Sequence, residues 1–184
     1  PMGFMVEDRF LRRALLDAVA NAPNVTHLPG ETVVAQNITD ASATVTLASE
    51  QILTTRLLIG ADGRRSNVAQ RAGITRTGWD YGQTALVTAI EHEKPHHGIA
   101  HQFFMPAGPL AILPLPGNRS SIVWSETHAN AAEIQALSDA DYLSVLQPRF
   151  GDFLGQISLA GTRFTYPLNL TLANAFTAPE TNWS

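Results

Sequence analysis

The sequence contains no cysteine in 184 residues, which excludes disulfides, thiolate-bound zinc and thiol catalysis and suits a reducing compartment. Charge is sparse at 15%, and lysine is nearly absent: eleven of the twelve bases are Arg, the exception being Lys94. Sixteen acids bring the net charge to −4. That balance lacks both the basic footprint of a nucleic-acid binder and a polybasic patch for an anionic membrane. No apolar run approaches the ~18 residues of a bilayer span, and residues 1–9 do not read as a signal peptide. Internal repeats and low-complexity tracts are missing as well. Apolar residues, at 45%, are plentiful enough for a sizeable core. The expectation is a soluble globular piece.

Periodicity divides the chain near residues 73–78. Phe10, Leu11, Ala14, Leu15, Ala18 and Val19 form one stripe of an amphipathic helix, with Glu7 and Asp8 at its negative-tolerant start and the Asn21–Pro23 stop after it. Residues 25–28, 31–38 and 44–47 read as short strands. Leu57-Leu58-Ile59 reads as a strand covered on both faces. Beyond residue 78, the segments 79–91, 99–104, 110–115, 120–125, 156–159 and 162–170 are strand-like, broken by Pro- and Gly-rich turns. In 83–90, Ala85, Val87 and Ala89 alternate with Thr84, Leu86, Thr88 and Ile90, so both faces of that sheet are expected to be covered. Residues 130–137 and 138–150 read as helices, the second opened by a capping box of Ser138 and Asp141. The fold class is α+β (α/β), with a mainly antiparallel sheet and packed helices.

The strongest local signal is Gly60-Ala-Asp62-Gly63-Arg64-Arg65-Ser66 between a strand and a helix. Two glycines permit tight turns and close backbone approach, and an Asp at a strand's carboxyl end can accept hydrogen bonds from ribose or ribityl hydroxyls. Ser66 and the amides of the following helix suit a phosphate. An ordinary Asp-Gly turn with a Ser cap fits the same residues. His92, His96, His97 and His101 invite a metal reading that needs a convergence spacing cannot supply, and no metal site is assigned. Trp79, Tyr81, Phe103, Phe104 and Trp124 suit either an aromatic pocket or a core. Ser121 and Ser125 form no nucleophile elbow, and no catalytic residue is assigned.

Leu57–Ser66 resembles the Asp-Gly motif of flavoprotein aromatic hydroxylases with the para-hydroxybenzoate hydroxylase fold. Trp79–Gln83, Pro95–Phe104, Gly108–Leu115, Ser121–Ser125 and Tyr166–Leu168 follow in the order and spacing of the ubiquinone-biosynthesis hydroxylases. The resemblance runs from about residue 3 to residue 178. It implies FAD and NAD(P)H as cofactors of the full-length enzyme, which activates O₂ and transfers one oxygen atom to a prenylated phenol. It further implies a cytoplasmic enzyme, peripheral to the inner membrane, that forms a dimer or associates with other ubiquinone-synthesis proteins.

Carried over residue by residue, the resemblance makes Asp62, Gly63, Arg64 and Ser66 cofactor-binding, with Asp8 and Arg9 as weaker candidates at the first helix. Such enzymes open with a glycine-rich strand–turn–helix and later carry a Gly-Asp motif, and neither is in this sequence. Residues 1–77 are therefore expected to be part of a truncated Rossmann-like FAD-binding domain, 78–178 the substrate domain, and 179–184 a tail that does not match the family. Alone, the chain is expected to bind no cofactor and to be inactive. The alternative is a non-catalytic module, derived from the same fold, that binds prenyl lipids or a partner.

Overall fold

A computed structural model describes residues 3–39 and 41–178; the 179–184 tail lies outside the described residues. The chain divides into two compact units, one formed by residues 3–16 and 80–170, the other by 17–79 and 171–178.

The first unit is built on a six-stranded sheet. Its strands are β4 (Arg76–His92), β5 (His101–Met105), β6 (Gly108–Leu115), β7 (Arg119–Thr127), β8 (Ile157–Leu159) and β9 (Phe164–Ala173), and two of these, β4 and β9, continue into the second unit. The spatial order is β5-β6-β7-β4-β8, with β9 also paired to β4. The β5–β6, β6–β7, β7–β4 and β4–β8 pairs are antiparallel. Register places Leu86 opposite Trp124, Leu110 opposite Trp124 and Ile112 opposite Ile122, so these large residues share one face. The helices α3 (His128–Ala136) and α4 (Asp139–Phe150) cover that face with Ala131, Ile134, Tyr142, Leu146 and Phe150. Thr127 caps α3 by accepting from the Asn130 amide, and Ser138 caps α4 by accepting from the Asp141 amide. In the expected capping box, Asp141 takes the Ser138 hydroxyl at 2.7 Å instead of reaching back to a main-chain amide.

The expectation that both faces would be covered is corrected. Val87, Ala89, Ala111, Leu113, Ser121 and Val123 form the opposite face and stay half-exposed. The helix-covered residues are long, whereas these are mostly short, and the helices pack only where long side chains fill the gap.

In the second unit β1 (Val33–Ile38), β2 (Ala43–Leu47) and β3 (Ile52–Thr55) make an antiparallel meander in which Ala43, Val45 and Leu47 are buried by strict alternation. The short helix α2 (Asn67–Arg71) is tied to β1 through Gln36 on the Val68 carbonyl and Arg71 on the Val33 carbonyl. Two expected strands are absent. Residues 25–28 are irregular, turned by a hydrogen bond from the Val25 amide to the Ala22 carbonyl. Leu57-Leu58-Ile59 is likewise irregular, with Leu57 70% and Ile59 74% exposed. A strand forms only beside a partner, and no described strand pairs with this triplet; the Thr55 side chain hydrogen-bonds the Leu57 amide and carbonyl instead. The helix α1 (Asp8–Ala20) forms as its stripe predicts, yet Phe10, Leu11, Leu15 and Leu16 remain exposed.

Candidate functional site

The Asp-Gly loop lies in the second unit and is fixed by its own polar residues. One carboxylate oxygen of Asp62 accepts from the Asn67 amide at 2.7 Å and from the Val68 amide at 3.2 Å. Ser66 Oγ accepts from the Ala69 amide at 3.0 Å. The Ser66 hydroxyl above all, with the backbone amides, holds the Asp62 carboxyl below its usual range against the opposing effect of burial. The amides that the sequence leaves open to a phosphate are thus occupied. Arg76 adds a bond of 2.6 Å to the Ser66 carbonyl.

Glycine is required twice in this loop, for different reasons. A Cβ on Gly60 would sit 3.0 Å from Val68, so the loop can approach α2 closely only without one. Gly63 has φ +82°, where side chains are strained, and the space a Cβ would occupy is open. Asp62, Gly63 and Arg64 are exposed, and Ser66 is buried. The loop therefore offers a rigid, open shoulder at Gly63. Its geometry fits contact with a cofactor hydroxyl or ring, but not the cradling of a pyrophosphate by the first turn of α2.

Asp8 and Arg9 lie in the first unit, exposed at the start of α1. Arg9 pairs with Glu7 at 3.0 Å and rests over the Phe10 ring at 4.5 Å. Asp8 is the acid of the helix's first turn, a role that favours the dipole without any ligand. Glu7 also meets Arg119 at 3.7 Å, which brings the start of this segment to one end of the open sheet face.

The other candidates scatter. Trp124 is core, Phe103 packs against the core, and Phe104 points out from the opposite face, 85% exposed. Trp79 and Tyr81 are exposed. Of the histidines, His92 and His96 meet edge to face, their ring centroids 5.6 Å apart, and each also has a main-chain partner. His92 contacts the Lys94 carbonyl and the Ser120 hydroxyl, His96 the Leu115 carbonyl and the Gly98 amide, and His101 the Phe153 ring. Among the described residues no group of three or more His, Asp and Glu side chains converges as a metal site. The open face itself escaped the sequence reading, although the short residues at its alternate positions, Ala85, Ala89 and Ala111, are its visible signal.

The fold is shared with solved monooxygenases: p-nitrophenol 4-monooxygenase PnpA of Pseudomonas putida superposes with TM-score 0.70 at 17% identity, over 92% of this chain and 44% of that one. No protein-family model matches the chain. Ubiquinone hydroxylase UbiL of Rhodospirillum rubrum is 44% identical over 176 residues, covering 96% of this chain and 41% of that protein. The mitochondrial ubiquinone biosynthesis monooxygenase COQ6 of Rattus norvegicus is 37% identical over 163 residues, covering 81% of this chain and 33% of that protein. Over the portion it spans, the chain belongs to the ubiquinone-biosynthesis hydroxylases. It thus spans less than half the length of either relative. Among the described residues no helix is long and apolar enough to cross a membrane.

Proposed function

We propose that this chain forms the substrate sheet and the Asp-Gly loop of an FAD-dependent monooxygenase that hydroxylates a prenylated phenol in ubiquinone biosynthesis. The observation that carries the reading is the 44% identity to a ubiquinone hydroxylase along 96% of the chain. The fold supports it, because the six-stranded sheet has one face sealed by helices and one left half-exposed and apolar. Such a face suits an aromatic ring, which gains from burial without needing a charge partner.

In this reading residues 1–77 belong to the cofactor domain and 78–178 to the substrate domain, with residues 3–16 grouping with the large sheet and 171–178 with the unit of the Asp-Gly loop. Asp62 and Gly63 contact FAD at the open shoulder and help gate NAD(P)H, with Arg64 beside them. Ser66 holds the loop in shape by capping α2, and Arg9 and Asp8 are peripheral. Bound flavin supplies the oxygen-activating chemistry; the chain's own residues orient the phenol and exclude water from it. The nearest reaction type is hydroxylation of 2-octaprenyl-6-methoxyphenol. The enzyme works in the cytoplasm against the inner membrane, as a dimer or beside other ubiquinone-synthesis proteins.

The test is expression of the chain together with the coding sequence on either side of it. The expected product is a yellow protein that oxidises NAD(P)H in the presence of a prenylated methoxyphenol and returns a hydroxylated ring. A colourless product that binds the phenol without consuming NAD(P)H overturns the enzyme reading in favour of a lipid-binding module.

A further inference from the structure

The open face is not uniformly open. Ala85 and Ser125 belong to it by register, yet they are 3% and 4% exposed, unlike their half-exposed neighbours Val87 and Val123. The turn between β5 and β6 comes against this end of the face, where Gly108 lies beside Ser125. Gln83, one residue-pair further along β4, donates from Nε2 to the Ala107 carbonyl at 2.5 Å. In the sheet β7 lies between β4 and β6, so this bond can form only if the turn folds over the end of β7. Gly108 makes the fold possible. It sits at φ +145°, and a Cβ there would lie 2.7 Å from the Ser125 Cβ and 3.0 Å from Gln83 Nε2.

We propose that Gln83 is a positioning residue that latches the Met105–Gly108 turn across Ala85 and Ser125 and so closes one end of the face. The closed end limits how far an aromatic ligand extends in that direction, and any long tail leaves toward the Arg119 end. The latch itself stands on the bond, the glycine and the burial; its effect on ligands rests on the substrate-face reading given above. A glutamine suits the task because it donates to a carbonyl without a charge that would have to be desolvated beside the apolar face.

Two variants and two readouts test this. Gln83→Leu removes the donor at similar volume, and Gly108→Ala lifts the turn while leaving Gln83 intact. Both should speed hydrogen exchange at the amides of Met105, Ala107 and Gly108 by about ten-fold or more, with β7 core amides unchanged. Calorimetric titration with 2-methoxyphenol should change less than two-fold in either variant. The rigid 4-phenylphenol, too long for a closed end, should bind about ten-fold more tightly to both variants than to the parent, the gain of roughly two newly buried carbons. Unchanged exchange at the three amides overturns the latch. Faster exchange with no change in the ratio of the two affinities overturns the specificity role alone. If neither phenol binds the parent or the variants while exchange rises, the substrate-face reading is what fails, and the length rule fails with it.

Discussion

The six-stranded sheet of the first unit and the three-stranded meander of the second are both antiparallel, yet they hold their side chains in opposite ways. In the larger sheet Trp124, Ile122, Leu110, Leu86 and Ile90 are sealed beneath α3 and α4, joined by Tyr142, Leu146 and Phe150. In the meander only alternate residues of β2 are buried, and Ile52, Leu57 and Ile59 in and after β3 remain exposed. Hydrogen bonding does not separate the two regions, since both are laddered, the meander with one register shift between Val33 and Ala35. The difference is the second layer: a sheet acquires a core only when another element covers it. The candidate sites follow the same division. The Asp-Gly loop is held by local polar bonds, whereas the open face of the large sheet is defined by long-range strand register.

The contrast breaks first at Trp124. Its ring lies fully buried, its Nε1 donates to the buried Glu126 at 3.2 Å, and Arg149 stacks over it at 5.0 Å. Trp124→Ala should cost about 3–5 kcal/mol in denaturant unfolding and leave Glu126 with Asn130 as its remaining partner. A loss below about 1 kcal/mol would mean that the first unit owes little to this core. Next is Asp62→Ala, which removes the acceptor for two α2 amides and should cost roughly 1 kcal/mol. Hydrogen exchange should then rise across residues 60–72 and leave the large sheet untouched; exchange spreading to β6 and β7 would contradict the local character of the loop.

A smaller effect is expected from acid. Asp80 accepts from the Gly82 amide at 2.6 Å and from His128 at 3.0 Å, and these hold its carboxyl below the ordinary value, the amide contributing most. A depressed folded value stabilises the protein above the unfolded carboxylate range, near pH 4, and that gain disappears as the pH falls through the folded value. Asp80→Asn should therefore flatten the fall in unfolding midpoint below pH 4, and an unchanged acid limb would refute the role. Smallest of all is Leu57→Ser, expected to stay within about 0.5 kcal/mol because the side chain is already in water. A core-sized loss there would erase the contrast between the two regions.

Local sequence determined a good deal. The stripe of α1, the caps at Ser66 and Ser138, the alternation in β4 and the turn glycines each act within a few residues, so the chain itself carries the information. The Asp-Gly loop was legible as a cap for the same reason, and the motif order pointed to the family before any fold was known. Tertiary structure alone decided the rest. Leu57-Leu58-Ile59 has the composition of a buried strand, but a strand is a pairing, and composition does not supply the partner. The two faces of β4 are almost equally apolar, and which one is sealed depends on the long side chains that β6, β7 and the helices bring to it. The contact of Gln83 with Ala107 shows no signal in sequence, because the two are brought near only when the β5–β6 turn folds across β7. Contacts closed over a few residues are written in the sequence around them; those closed across a sheet depend on where every intervening strand has paired.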